Sequence, residues 1–575
     1  GLSPEQDVYY RAWVYTAGSY SEGITAHART LATMPQAHPQ QINMEATSSI
    51  SIEISWQDSG ADGYLVLLRE TEITEDELPE NATYLRQDAR TRYVQPGEQP
   101  VIFDALRSEQ LYYASLIPFN GSGSSIHYLK QGAWKGEATT LSGSNVSDHF
   151  RSRDDGLWHD PHTWESSPDG QNWDISTIYP RLGAAFITIS PGHQLELSRG
   201  ISVNRLDVHG ELRLQTDNEY LRIEAGEGPA LRIRQGGTLI NAATGSASGL
   251  ELAGGLRWQL EGGGTYVHNT TRSVVNLLNS LDQYPGSTFV YLGSESLTPS
   301  RSISGRSYYR LKFLSASGQW SASLGTGAQP LEVVEHLEIG SGVEVFSGSF
   351  QGELRLLGSM ELKGRFITSD RHPQQLLMPG AGQLKIHTGA ELVLSPQSRA
   401  FFSGKPVIEN GGWLWLMDDE QGSASLIHDS EGVAARVLAR SIEGQNGWQM
   451  FSSSVQGQSI GAMFMPDEGH DNYLLSDFYL WHEPEGLWVN RKNTLDSPSG
   501  DAPWFDQVNP GLDFVALRGY LAAYQWDQQG LYFEGFLNQG TQQIILQAEG
   551  TAFRGFNLLG NPYPSYLDWK ADQGW

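Results

Sequence analysis

At 575 residues the chain is too long for one hydrophobic core, so several domains are expected. The absence of cysteine excludes disulfide frameworks, thiol chemistry and cysteine-bound metals. With 38 basic and 66 acidic residues, the net charge of −28 sets the surface against the polyanionic backbone of nucleic acid.

Glycine is abundant, at 64 residues, and charged residues make up only 18%, the composition of many short strands joined by tight turns. Apolar positions recur mostly at period two and no long helix is expected. No apolar run is long enough to span a bilayer. The chain opens at Gly1 without an initiator methionine or signal peptide, and is expected to be a processed or trimmed piece of something larger.

Residues 1–33 read as the terminal strands of an incomplete domain. Val8-Tyr9-Tyr10 and the turn at Ala17-Gly18 echo Leu111-Tyr112-Tyr113 and the turn at Asn120-Gly121, with Tyr9 and Tyr112 103 residues apart, about one sandwich domain. Residues 34–139 supply the complete version. Ile50, Ile52, Ile54 and Trp56 alternate onto one face, Gly63 opens the strand Tyr64–Leu68, and Leu111–Ile117 forms a third strand. Trp56, with Leu106 six residues before Tyr112, resembles a fibronectin type III domain, which implies a tyrosine packed at the entrance to the sixth strand. The acidic insert Glu70–Asp76 is expected to be a solvated loop, a calcium or partner site being the lesser option.

Residues 140–180 form a linker and a tryptophan-rich cap. Trp158, Trp164 and Trp173 either plug the end of the next domain or make an aromatic glycan platform. His159 and His162 around Asp160 hint at a metal, without a third ligand at suitable spacing.

Residues 181–445 are repetitive. Gln194–Leu197, Glu211–Leu214, Leu221–Ile223 and Leu231–Ile233 each alternate aliphatic with polar side chains, and the starts Gly210, Gly237 and Gly264 are spaced by 27 and 27 residues. One coil cannot bury its own apolar face whereas stacked coils can, so a right-handed parallel β-helix is expected, with an interruption near residues 270–305. Asp207, Asp217 and Glu219 are expected on solvated strand faces, and His193 and His209 near turns. The series Gly156-Leu-Trp158, Pro161–Trp164, Gly192–Leu197, Val203–Leu214, and later Tyr308–Phe313, resembles a recurring segment of large secreted proteins of the Bacteroidetes. That resemblance brings no catalytic residues.

Residues 446–575 shift to aromatics: Gly447–Val455, Phe478–Trp481, Gly486–Asn490, Arg518–Tyr524 and Phe556–Ser565, with the rigid Asn561-Pro-Tyr-Pro564 turn. In that order they resemble a module near the C-terminus of Bacteroidetes exoproteins, with Ser454 where proline is usual and Leu517-Arg518 where a leading glycine is usual. The module normally continues past Asp568-Trp569, so Trp575 is expected to be a truncation. Many such proteins end in a sorting domain for type IX secretion, and none is visible. Trp481 and Trp488 contact glycans or fill a core, while Asp477/Tyr479 and Asp568/Trp569 flank a small pocket.

The fold expected is therefore all-β: a fibronectin type III-like sandwich, a central parallel β-helix and a C-terminal β-sandwich-like module that is incomplete. No catalytic or metal residue and no cofactor is assigned, weak Ca²⁺ binding being the one option. The function expected is a non-catalytic extracellular surface, adhesion or stalk protein. Its partners are expected to be cell-surface or secretion-machinery proteins or glycans, with no nucleic acid and no transmembrane segment. The alternatives are a carbohydrate-active β-helix enzyme, lyase or hydrolase, and a spacer or carrier region of a longer secreted enzyme.

Overall fold

The computed structural model describes residues 1–568 except 218, 225–227, 246–248, 381, 439–446, 494–502, 529 and 551. It divides into two compact units, Gly1–Thr188 and Ile189–Trp575. Among the described residues no helix is long and apolar enough to cross a membrane.

In the first unit, Asp7–Ala12 pairs antiparallel with Ile24–Arg29. Between them a small hairpin turns at Ala17 and Gly18, both with φ positive. Its large side chains, Tyr9, Tyr10, Trp13, Tyr15 and Tyr20, are exposed.

A fibronectin type III-like sandwich follows. One sheet holds Gln40–Ser48, Ser51–Gln57 and Val101–Phe103. The other holds Thr91–Val94, Gly63–Arg69, Leu111–Asn120 and Trp134–Thr139. Alternation sends Ile52, Ile54, Trp56, Tyr64, Val66 and Leu116 into the shared core. Tyr112 is buried there, and its hydroxyl accepts the Arg107 N–H at 3.0 Å, locking the bend before its strand. The acidic insert is only partly a solvated loop: Glu70, Glu72, Glu75 and Asp76 are exposed, but Ile73 is buried against Leu65, Leu67 and Ile117 on the sheet's outer face.

In the second unit a parallel β-solenoid runs from Gln194 to Leu438. Its longest sheet stacks eleven strands from Gln194–Leu197 to Ser425–His428, about 50 Å at about 4.8 Å per strand. Register explains the core: Leu195, Leu212, Leu239, Tyr266, Phe289, Leu311, Leu337, Met360 and Leu384 form one continuous inward ladder. All are buried.

The 27-residue step holds where Glu211, Thr238 and Thr265 stand opposite one another. Glycine leads these coils because they stack closely. A Cβ at Gly237 would lie 2.1 Å from the Val208 carbonyl oxygen, and one at Gly210 2.3 Å from that of His193. The expected interruption at 270–305 is absent. The helical turn Val275–Asn279 sits in a loop, while Leu281–Gln283 and Thr288–Ser294 pair in parallel with the coil before. The coil has merely shortened, Thr265 standing opposite Thr288, and its inward residues have become aromatic.

At the far end, Tyr532–Phe536 of the aromatic module runs antiparallel to the last rung, Ala434–Leu438. It covers a strand edge that would otherwise template another chain. Arg436 is held there against Trp413, Trp415 and Tyr532 and pairs with Glu534 at 2.9 Å. The module's own sheet orders Gln449–Phe451, Tyr520–Tyr524, Ser476–His482 and Leu487–Asn490, all antiparallel. Phe464, Phe478, Phe514, Tyr520 and Phe533 pack edge-on, tilted or stacked in its core.

Candidate functional site

The tryptophans singled out by the sequence part into two kinds. Trp158 and Trp164 are fully buried, 4.9 Å apart and edge to face. Their indole N–H groups donate to the carbonyls of Pro180 (3.0 Å) and Trp158 (2.8 Å). Neither offers a ring face to a glycan, which removes the platform reading for this pair. Trp173 is half-buried beneath the Arg151 guanidinium at 4.4 Å. Asp160 caps the following turn and lies 3.1 Å from His162 Nδ1, while the His159 ring packs on Tyr179, so these three do not converge as metal ligands.

Trp481 and Trp488 face each other across a hairpin closed at Glu483–Gly486, rings 5.4 Å apart. Together with Met450, Phe553, Phe556 and Leu558 they line an open cavity of about 210 Å³. Phe556 is 67% exposed and Trp488 38%. This is an apolar surface left to solvent, unlike the packed pair Trp158 and Trp164.

The loop carrying Phe553 and Phe556 is fixed from below. The buried Glu483 carboxylate accepts the backbone N–H groups of Gly555 (2.6 Å), Glu549 (3.0 Å) and Gly550 (3.2 Å). These bonds, that from Gly555 foremost, hold it below the ordinary carboxylate value. Trp481 Nε1 donates to the Phe556 carbonyl at 2.6 Å. The Asn557 side chain is committed to Gln547 and Gly555, so the cavity presents ring faces with few open polar groups.

Asp477 and Tyr479 lie elsewhere on that sheet. Asp477 accepts from Asn490 and Lys492, and Tyr479 packs on Trp448. Asp568 is exposed, and Trp569 lies outside the described residues.

The solenoid carries a second group that the sequence did not disclose. Lys312, Glu338, Glu361 and Lys385 are register partners on successive coils. Glu338 receives Lys312 and Lys363, each at 2.8 Å. His387 lies 2.7 Å from Glu361 and 3.2 Å from Glu409, which Lys385 also reaches at 3.1 Å. Burial opposes ionisation of Glu338, but the two ammonium groups outweigh it and hold the carboxyl below its ordinary value. Burial, aided by Lys312, lowers His336.

His336, Glu338 and Glu361 could place three ligand atoms within 4.8 Å of one another. Both Glu338 oxygens are already neutralised by lysine, and His336 Nδ1 bonds Ser359 at 2.8 Å. The group is therefore a self-satisfied ionic ladder.

The same holds for Asp207, expected on a solvated face. It is buried and bridged by Arg232 at 2.8 Å and Arg234 at 2.8 Å, and Arg234 continues to Glu261 at 2.7 Å. Ladders of this kind are invisible without register, because the partners that join one coil to the next stand 22 to 27 residues apart.

No known family profile matches the chain, and no curated protein matches it. Among solved structures, the crystal structure of chicken CNTN1 FN1–FN3 domains is similar at 14% identity, over 24% of this chain and 45% of that one, with a TM-score of 0.17. The chain thus spans less than half the length of that structure. So slight a likeness carries no argument, and the fibronectin-like assignment rests on the strand pairing above.

Proposed function

We propose that the chain is a non-catalytic portion of an extracellular surface protein, in which the solenoid is a stalk and the Trp481–Trp488 cavity is the contact surface for a partner protein. The observation that carries this reading is the paired state of the solenoid's ionic ladders. A lyase or hydrolase needs a carboxylate or base free to move a proton, whereas Asp207, Glu338, Glu361 and Glu409 are each held by a cation or an imidazole. The exposed aromatic cavity adds the second half. Large apolar side chains left to water mark contact sites, and the committed Asn557 favours a protein anchor there over a sugar.

An extracellular location, and secretion by the type IX route of the Bacteroidetes, belong to the same proposal. They are supported by the resemblance of residues 156–214 and 447–569 to exoproteins of that group.

The test is retention of the labelled chain on cells of the source organism, compared with Trp488→Ala and Phe556→Ala. Both variants should lose most of the retention while keeping the wild-type circular dichroism and melting profile. Unchanged retention would remove the cavity from the proposal. Release of reducing or unsaturated ends from polysaccharides would replace the stalk by an enzyme.

A further inference from the structure

A second inward ladder of the solenoid breaks its own rule at two coils. Leu197 and Leu214 are followed by Asn241 and His268, after which Tyr291, Phe313 and Ile339 restore a largely apolar series. Asn241 and His268 are 2% and 1% exposed. Polar groups in such a stack are destabilising unless partnered.

The partnering is incomplete. Asn241 Nδ2 donates to the Tyr266 hydroxyl at 3.2 Å, that hydroxyl lies 3.3 Å from His268 Nδ1, and His268 Nε2 is 3.1 Å from the Arg272 carbonyl. Asn241 Oδ1 and Arg272 Nη1 remain buried without a hydrogen-bond partner among the described residues.

Both orphaned atoms belong to residues that line one cavity of about 290 Å³, beside Glu251, Asn276, Leu252 and Leu277. The volume stands near the lower end of small-molecule sites, which run from about 300 to 1,000 Å³. The Arg272 guanidinium lies over the Tyr220 ring at 4.8 Å, which restricts its plane.

The lining specifies its occupant. It holds one cation and one carboxylate, so neither a net anion nor a net cation is favoured. Among the described residues its buried unpartnered side-chain atoms are one donor, Arg272 Nη1, and one acceptor, Asn241 Oδ1, and a hydroxyl is the group that serves both. Leucine side chains complete the wall, suited to the C–H faces of a sugar ring. The chain's charge of −28 disfavours an acidic glycan.

We propose that this cavity binds one neutral saccharide unit, with Arg272 donating to it and Asn241 accepting from it. The site is independent of the Trp481–Trp488 surface and requires no catalysis.

Saturation-transfer NMR on the full chain tests it, with glucose, galactose, mannose, N-acetylglucosamine and, as the charged arm, galacturonate. At least one neutral sugar should show transfer. Arg272→Met, which keeps an unbranched apolar stem while removing the guanidinium, and Asn241→Leu, which continues the Leu214 ladder and should fold well, should each weaken it roughly tenfold or more. Trp488→Ala should leave it unchanged. Transfer to none of the neutral sugars, to galacturonate alone, or equally in both pocket variants would overturn the assignment.

Discussion

Arg234 closes on Asp207 across one full coil, donating from both Nε (2.9 Å) and Nη2 (2.8 Å) to the same carboxylate oxygen. A buried carboxylate so held ties two rungs together, and its removal takes the Asp207 partner from Arg232 and leaves Arg234 with Glu261 alone. Asp207→Ala should therefore destabilise the solenoid by about 3–5 kcal/mol. Chemical denaturation checks this, read on the transition that reports the solenoid. A loss below about 1 kcal/mol, the range of exposed pairs, would show that water reaches the site.

Coil spacing can be tested at the glycines. A methyl group at Gly237 meets the Val208 carbonyl at 2.1 Å, whereas at Gly254 nothing lies within 4 Å. Gly237→Ala should cost about 1–3 kcal/mol or more through forced separation of the coils, and Gly254→Ala should stay within about 0.5 kcal/mol. The melting temperatures of the pair, measured side by side, distinguish close stacking from a general dislike of substitution.

The buried His268 makes stability depend on pH. Burial lowers its value from 6.5 to about 4, only partly offset by its bond to the Arg272 carbonyl. The groups around it are Tyr266, Tyr291 and Asn241, with Arg272 and Glu251 on the same cavity. The unfolded chain takes up the proton first. Stability is therefore complete above pH 6.5 and falls as pH drops from 6.5 towards 4, by up to about 3 kcal/mol. Denaturation at a series of pH values should show that slope in the wild type and a flatter one in His268→Gln.

Glu483 titrates with the same sense in a lower window. Its carboxyl is held below 4.5 by backbone donors, so the ordering it gives is complete above 4.5 and is lost as pH falls through the lowered value. Hydrogen exchange at the amides of Glu549, Gly550 and Gly555 should accelerate in that window. In Glu483→Ala it should be fast at neutral pH, together with a weakened contact surface at Phe553 and Phe556.

Much of the architecture was legible because a solenoid repeats its physics: Gly-Glu-Leu-Arg-Leu at 210 and Gly-Thr-Leu-Ile at 237 announce a strand, an inward pair and a close approach. The stretch at 270–305 is hard to read because Phe289 and Tyr291 follow Tyr266 and His268 in place of aliphatic rungs and the coil is four residues shorter, which breaks a period without breaking a ladder. The tryptophans looked alike in sequence. Trp158 and Trp488 differ in whether chain carbonyls and neighbouring rings close over them, a tertiary property. Asp207 was misjudged for a related reason: its arginine partners are neighbours only in register. The replacement of Leu214 by Asn241 and His268 on the next rungs, by contrast, stands in the sequence and becomes readable once the 27-residue step is known.

The stacking of coils also governs how the molecule would answer a pull. In a parallel solenoid the hydrogen bonds between rungs run along the long axis, so axial tension loads them directly and the chain yields rung by rung. Each coil released pays out 17 to 27 residues, roughly 55–100 Å of thread at about 3.3–3.6 Å per residue. The Leu195–Leu384 ladder would then serve as a reel of sacrificial length, and single-molecule extension should record a staircase with treads of that size.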